Sequence, residues 1–260
     1  DINGDVVIQL KDQHIHRVKI VVKDANENTS VLEFKIRKGA VAQAINSNSF
    51  SKDEKEFLPG FVNVFENENL EIYLPAATLY DSVKFTHSEK TSVSPEAYSN
   101  MFSILSGLVP AQDYFTVRIK INKPLSGDLS NKILMKRSWK GNSDVVKAIK
   151  NGDWYSAKFN AFGDFELIAD DEPPVINASF HDDANLSHAT RIIITPKDNN
   201  DAIKNFRAEL DGKWLLFTND KGHLFIYTFD EKCRRGKHEL KISVEDEAGN
   251  RAERILHFTR

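Results

Sequence analysis

Apolar and polar residues alternate with a period of two along most of the chain. Every second residue is apolar in segments 70–74, 115–121 and 238–245. Successive side chains of a strand point to opposite faces, so this alternation predicts strands that bury one face. No segment keeps a 3.6-residue period over three turns, and only residues 144–151 are compatible with a short helix or helical turn. The pattern predicts an all-β fold of tandem antiparallel β-sandwiches, immunoglobulin-like or fibronectin-like.

Two dipeptides mark turns between these segments. Asp211-Gly212 separates two predicted strands, and Asp-Gly favours the type I′ turn of a tight hairpin. Gly163-Asp164 separates residues 157–162 from residues 165–168 in a similar way. We therefore expect a hairpin at each dipeptide.

The chain contains an internal repeat. Residues 16–28 align without gaps with residues 238–250, and His, Lys, Ile, Val, Asp and Asn recur at the same places. Another predicted strand follows each copy. Each copy therefore predicts a strand, an Asp-x-x-x-Asn turn and a second strand, because Asp and Asn side chains hydrogen-bond the backbone of turns.

The repeat predicts the domain organisation. The second copy ends a run of about seven strands, the number in a complete immunoglobulin-like sandwich, whereas too few residues precede the first copy for a sandwich. The acidic segment 170–174 ends in two prolines, which cannot join a strand ladder, and marks a linker. We predict the C-terminal strands of a truncated immunoglobulin-like domain at 1–38, a linker at 39–56, a middle β-sandwich domain at 57–170 and a C-terminal immunoglobulin-like domain at 171–260.

The short first segment also predicts that the chain is the C-terminal part of a longer protein. The alternative is that residues 1–38 pair with another chain or pack on the next domain, because an isolated two- or three-stranded piece is marginal in water.

Composition and motifs exclude several classes of function. The 260 residues include 35 Lys and Arg against 38 Asp and Glu, so no basic excess indicates a nucleic-acid partner. No apolar run approaches the ~20 residues of a transmembrane segment. Cys233 is the single cysteine, which excludes an internal disulfide and a zinc–thiolate cluster. Nucleophile-elbow and phosphate-loop motifs are absent, so we predict no catalytic, cofactor-binding or metal residue in this chain.

The order of several motifs carries a family resemblance. Residues 236–250 follow the pattern Gly-x-His-x-Leu-x-Ile-x-Val-x-Asp-x-x-Gly-Asn, which resembles the end of bacterial immunoglobulin-like and fibronectin-like modules. Leu74-Pro-Ala-Ala-Thr-Leu-Tyr-Asp81, Phe162-Gly-Asp-Phe165 and Leu210-Asp-Gly-Lys-Trp214 occur upstream in that order. This succession resembles the non-catalytic C-terminal region of Gram-negative envelope proteins of the lysostaphin-like (LytM-type) zinc peptidoglycan endopeptidase family.

The resemblance implies an exported protein of the periplasm or cell envelope, associated with the outer membrane. The family holds zinc through a His-x-x-x-Asp and a His-x-His motif, and the first of these does not occur here, so zinc is expected only in a peptidase domain that this chain lacks. The chain would be an accessory region that positions or docks that domain, or that binds other envelope proteins. The full-length protein would then be a zinc metallopeptidase that hydrolyses peptidoglycan.

The alternative function is a glycan-binding or adhesin-like β-sandwich module, with peptidoglycan or another glycan as partner. Flat aromatic side chains suit stacking on sugar rings. Trp154 and Tyr155, which follow a polar turn, are the leading candidates; Trp139 and Trp214 are the others. Burial in the sandwich core is the competing interpretation for each.

Three further groups suggest chemistry less strongly. His14 and His16 would share one face of a strand, as metal binding requires. His16 aligns with His238, however, and no histidine lies two residues before His238, so we favour a strand-start cap for His16 and His238. Two acidic groups are candidates for a cation site between domains: Asp170 to Glu172, and Asp182 with Asp183. The alternative, which we favour, is a solvated acidic linker. Cys233 lies among basic residues, which favour the thiolate, but we expect a partly exposed, inert loop cysteine.

Overall fold

A computed structural model describes residues 12–24, 27–37, 55–220 and 223–260. This part of the chain contains no α-helix; its single helical element is a 3₁₀ helix at Gly127–Asn131. Nearly all strand pairs are antiparallel, and the predicted all-β class of tandem sandwiches is confirmed. No helix among these residues has the length and apolar character needed to cross a bilayer. The chain divides into two compact units, Asp1–Asp53 and Glu54–Arg260.

The first unit contains a single described hairpin. Strand β1 (His16–Lys23) pairs with β2 (Thr29–Ile36) over their whole length. Ile20 lies opposite Leu32, and both side chains are about half exposed. Apolar residues of this hairpin therefore face solvent in the described structure. Residues 1–11 and most of the predicted linker lie outside the described residues, so the truncated domain stays a prediction.

The second unit begins with a sandwich of two five-stranded sheets around one core. Its strands are β3 (Glu56–Phe57), β4 (Asn63–Glu66), β5 (Leu70–Leu74), β6 (Val83–Lys84), β7 (His87–Lys90), β8 (Met101–Ile104), β9 (Pro110–Lys120), β10 (Ile133–Trp139), β11 (Asn142–Lys147), β12 (Ile149–Asn151), β13 (Trp154–Ala161) and β14 (Gly163–Ala169). One sheet has the order β11-β10-β14-β8-β7 and the other β12-β13-β9-β5-β4, while β3 and β6 form a small separate pair. Their facing apolar side chains form the core, with Phe115 and Phe165 fully buried. We call this unit the middle sandwich.

The short helix considered at residues 144–151 does not form. These residues belong to β11 and β12, which lie at the edges of opposite sheets. Val145 and Val146 pair with Lys136 and Met135 on β10, so tertiary pairing outweighs the weak local helical pattern.

Gly163-Asp164 is not a hairpin turn, which corrects the expectation from sequence. Strands β13 and β14 belong to opposite sheets, and the chain crosses between them at Phe162 and Gly163. Gly163 has a φ of 148°, and a Cβ at this position would lie 2.7 Å from the carbonyl oxygen of Ser138. Only glycine fits this backbone conformation and close approach.

The C-terminal sandwich has a four-stranded and a five-stranded sheet. Its strands are β15 (Val175–Ala178), β16 (Ala184–Asn185), β17 (Arg191–Lys197), β18 (Ile203–Leu210), β19 (Lys213–Leu215), β20 (Thr218–Asp220), β21 (Leu224–Thr228), β22 (Lys237–Asp246) and β23 (Arg251–Thr259). The sheet orders are β15-β17-β21-β20 and β16-β23-β22-β18-β19, and β16 runs parallel to β23. A second core, including Ile192, Leu240 and Ile242, fills the space between them.

The Asp211-Gly212 hairpin is confirmed. Leu210 pairs with Lys213, and the two residues between them have φ values of 51° and 74°. Positive φ at both central positions is the signature of the type I′ turn.

The two copies of the repeat make the same pair of Asp–Asn hydrogen bonds. Asn28 donates from its backbone and its amide to Asp24, at 2.9 and 2.7 Å, and Asn250 donates likewise to Asp246, at 2.8 Å in each case. Each copy links two paired strands, β1 to β2 and β22 to β23. The repeat therefore encodes one hairpin whose turn is held by a paired Asp and Asn.

We expect Gly163→Ala to lower the free energy of unfolding by about 3 kcal/mol or more, because the new methyl group meets the Ser138 carbonyl in a conformation that alanine disfavours. Gly152→Ala is the control, since its φ is 64° and nothing lies within 4 Å of the added Cβ; its cost should be about 1–2 kcal/mol. Urea unfolding followed by tryptophan fluorescence measures both. Equal losses would contradict the crossing geometry.

Candidate functional site

Tyr155 is a core residue, so the expectation that it stacks on a sugar is wrong. Its side chain is fully buried, and its hydroxyl donates to the carbonyl oxygen of Ser130 at 3.2 Å. Burial raises the pKa of this phenol, and the nearby charge of Asp153 adds to the shift. Tyr155 pairs with Ile119 on the inward face of β9, where a ligand has no access.

Trp154 points to the opposite face but is covered by another side chain. The Arg118 guanidinium lies 5.3 Å from the centre of its ring, and Arg118 also pairs with the Glu71 carboxylate. A cation over an aromatic face is a favourable arrangement of its own. Half-buried Trp154 therefore stacks on Arg118, and a sugar would have to displace that contact.

Trp139 is also engaged within the protein. A Cβ added at Gly107 would lie 2.5 Å from its indole ring, so the ring packs directly on the backbone there. The Lys140 ammonium lies 5.9 Å from the ring centre. This tryptophan serves packing of the middle sandwich.

Trp214 is the tryptophan whose side chain is exposed to solvent. It lies on β19, at the edge of the five-stranded sheet of the C-terminal sandwich, and is 56% exposed. Its neighbour Leu215 is buried at 3% exposure, so alternation along the strand turns Trp214 outwards. The Asp211-Gly212 turn fixes this short strand and thereby the position of the ring.

A cleft of 670 Å³ lies beside Trp214, between the β18–β19 hairpin and the loop before β22. We call it the Trp214 cleft. Two acidic residues and three basic residues contribute to its walls: Asp211, Glu231, Lys213, Lys232 and Arg234. The cleft therefore combines an apolar aromatic face with hydrogen-bond donors and acceptors.

One wall of the Trp214 cleft is held by a hydrogen-bond network around His238. The His238 ring bonds the Asp211 carboxylate at 2.8 Å and the Arg234 carbonyl oxygen at 2.6 Å, and its side chain is 9% exposed. Burial opposes ionisation of Asp211, but hydrogen bonds from Glu239 N–H and His238 outweigh it, so the pKa of Asp211 lies below its ordinary value. His238 thus fastens a corner of the sandwich, as its strand-end role predicts.

The outer face of the same sheet continues from Trp214 as a row of side chains. Trp214 pairs with Glu209, Glu209 with Lys241, and Lys241 with Ile255. The residues between them, such as Leu210 and Leu240, are buried, so this row faces solvent. An extended ligand that binds at Trp214 would therefore be able to lie along this mostly polar row of side chains.

His14 and His16 lie at the start of β1 in the first unit. His16 bonds the Asp12 carboxylate at 2.8 Å, and neither histidine lies in any described group of three metal-ligating side chains. The Asp12 pKa is lowered, chiefly by that hydrogen bond.

Cys233 is buried, which corrects the expectation of a partly exposed residue. Although it lies in a loop, its side chain is fully covered within the C-terminal core. Burial raises the pKa of the thiol, and the Arg260 guanidinium opposes this shift only in part.

The predicted linker contains a residue that joins the two sandwiches. The Asp170 N–H donates to Lys132 of the middle sandwich at 3.0 Å. Its carbonyl oxygen accepts from Asn250 at 3.0 Å, and its carboxylate accepts from Asn199 and Asn200 of the C-terminal sandwich. Asp170 is 2% exposed, whereas Asp171 and Glu172 are exposed.

The turn of the second repeat copy packs on the middle sandwich at this junction. Ala248 is buried with Leu134 and Ile168, and its carbonyl oxygen accepts from the Lys147 ammonium at 2.8 Å. Two further acidic residues, Asp198 and Asp246, lie beside Asp170 at this junction, and the sequence did not predict either of them there. The only pointer in the sequence was that Asp246 belongs to the repeat turn.

A sequence model of the Zu5-like domain matches residues 59–170, the strands of the middle sandwich from β4 to β14. No curated protein sequence matches the chain significantly. Among solved structures, fibronectin(III)-like modules of Clostridium thermocellum CbhA align over 67% of this chain and 93% of theirs, with 14% identity and a TM-score of 0.28.

Two Bacteroides structures align over most of this chain. The Bacteroides ovatus mixed-linkage glucan utilization locus protein SGBP-B, in complex with a heptasaccharide, has 9% identity and a TM-score of 0.22 over 95% of this chain and 54% of its own. The extracellular domain of a putative one-component system from B. thetaiotaomicron has 13% identity and a TM-score of 0.25 over 92% and 36%. The chain thus spans about half and about a third of these two proteins, and likenesses this distant carry no functional argument.

We expect native Cys233 to react with a disulfide reagent such as DTNB at pH 8 at least ~100-fold more slowly than the chain unfolded in guanidinium chloride, because its thiol is buried and its pKa raised. Because Cys233 is the only cysteine of the 260 residues, the whole thiol signal comes from this residue. Similar rates in both states would show that the loop opens readily.

Proposed function

We propose that this chain is an exported β-sandwich module that binds glycans, with Trp214 as its stacking platform. The observation that carries the proposal is the Trp214 ring, 56% exposed beside a cleft of 670 Å³. Sugar rings present apolar C–H faces and polar edges. A site for them needs an exposed aromatic face with hydrogen-bonding groups around it.

The walls of the Trp214 cleft supply those groups. The carboxylates of Asp211 and Glu231 can accept hydrogen bonds from sugar hydroxyls, and Lys232 and Arg234 can donate to ring and hydroxyl oxygens. Asp211 is already oriented by His238, so part of the site is organised before a ligand arrives.

Glycan binding is tested with purified peptidoglycan in pull-downs and with soluble β-glucans and other polysaccharides in affinity electrophoresis. We expect Trp214→Ala to weaken binding at least about 10-fold, because loss of a stacking aromatic anchor typically costs more than 1 kcal/mol. Its side chain is exposed, so the fold should be retained, as circular dichroism and thermal unfolding would show.

Trp154→Ala is the matched control, since its ring is covered by Arg118. We expect this variant to bind glycans within about twofold of the native chain. Loss of binding in Trp154→Ala with full binding in Trp214→Ala would move the site to the middle sandwich. Failure of the native chain to bind any tested glycan would overturn the proposal.

A second candidate function is the accessory role that the family resemblance implies, in which the chain docks a zinc peptidase domain or another envelope protein. The exposed apolar residues of the β1–β2 hairpin favour it, because Ile20, Leu32 and Phe34 are each at least 41% exposed. The coding sequence next to this chain tests the idea. A peptidase domain with His-x-x-x-Asp and His-x-His motifs would support it, and a complete coding sequence without them would remove it.

A further inference from the structure

Three carboxylates from separate parts of the chain meet at the junction of the two sandwiches. Asp170 comes from the linker, Asp198 from the loop after β17, and Asp246 from the end of β22. One oxygen from each lies within 4.8 Å of the others. Asp170 and Asp246 are 2% and 0% exposed.

The charge of this group is not balanced by basic side chains. No described Lys, Arg or His forms an ion pair with any of the three carboxylates. Lys147, the ammonium at the same turn, donates to the carbonyl oxygen of Ala248 instead. Three like charges at this spacing repel one another strongly where water is excluded.

A separate observation points to a missing partner. Asp198 Oδ2 accepts from the N–H groups of Asn200 and Ala202, at 2.9 and 3.3 Å, but Asp198 Oδ1 is buried and has no hydrogen-bond partner among the described residues. A buried carboxylate oxygen without a partner is costly.

We propose that Asp170, Asp198 and Asp246 bind a Ca²⁺ ion that fastens the linker to the C-terminal sandwich. The donors are hard oxygens, which Ca²⁺ accepts in irregular sets of six to eight, whereas Mg²⁺ demands a near-ideal octahedron. No sulfur or imidazole ligand lies in the group, which disfavours zinc.

The surroundings supply further oxygen ligands and an approach from solvent. Three side-chain amides contact Asp170 or Asp246: those of Asn199, Asn200 and Asn250. Rotating such an amide group by 180° exchanges its nitrogen and oxygen and would place the oxygen next to the ion. A polar cleft of 570 Å³, lined in part by Asn199 and Asn200, opens between the two sandwiches beside the group.

The proposal is tested on the full 260-residue chain after treatment with EGTA and exchange into chelator-free buffer. Titration calorimetry with CaCl₂ should give one strong site. At free Ca²⁺ roughly 100-fold above the dissociation constant, the unfolding temperature should rise by about 5–10 °C. The same concentration of MgCl₂ should give less than half of that shift. No calcium heat and no shift would overturn the proposal.

Asp198→Asn tests the assignment to these residues, because it removes one charge with little change in shape. We expect this variant to be at least as stable as the native chain in EGTA and to lose at least about 90% of the calcium-induced shift. Asp182→Asn is the control, since Asp182 belongs to an exposed Asp182–Asp183–His257 group and should leave the shift intact.

A full calcium response in Asp198→Asn, or its loss in Asp182→Asn, would overturn the assignment. If Asp198→Asn does not fold, Asp170→Asn takes its place with the same expectation, and the calorimetry of the native chain still decides whether calcium binds. Glycan binding at Trp214 is measured separately, so the two proposals can fail independently.

Discussion

The arrangement of the second unit depends on Asp170, whose backbone and side chain bond to both sandwiches. Its N–H donates to the carbonyl oxygen of Lys132 in the middle sandwich. Its carbonyl and carboxylate oxygens accept hydrogen bonds from three asparagine side chains of the C-terminal sandwich. Ala248, buried against Leu134 and Ile168, adds apolar contact at the same place. A residue of the linker thus behaves as an interior residue, because each of its backbone polar groups finds a partner there.

The repeat gives this junction its local structure. In both copies an Asp accepts two hydrogen bonds from an Asn four residues later, so each turn is stabilised by its own side chains. The sequences of the copies differ in the two residues before the Asn, which are Asn26-Glu27 in the first copy and Ala248-Gly249 in the second. The small residues of the second copy allow it to press against the middle sandwich, whereas Glu27 adopts the left-handed conformation that Gly249 takes freely.

Alternation and turn chemistry predicted the strands and the Asp211-Gly212 hairpin, because both depend on neighbours in sequence. Alternation also implies that Trp154 and Tyr155, as neighbours on one strand, point to opposite faces of the sheet and cannot both contact one sugar. The contacts that sequence could not predict are long-range. They are the Arg118 guanidinium over Trp154, the Ser138 carbonyl oxygen that leaves no room for a side chain at Gly163, and the three carboxylates of residues 170, 198 and 246. Such contacts are set by packing between elements, which no local pattern encodes.

The crossing at Gly163 has a mechanical consequence. Strands β13 and β14 are separated by one residue, Phe162, whose ring stacks on Phe115 and whose carbonyl oxygen accepts two hydrogen bonds from the Arg137 guanidinium. The two sheets of the middle sandwich are therefore joined by continuous covalent backbone at a pinned corner. A force that pulls the two sheets apart at this corner would therefore load the backbone directly, because no flexible loop lies between β13 and β14 to take up the extension.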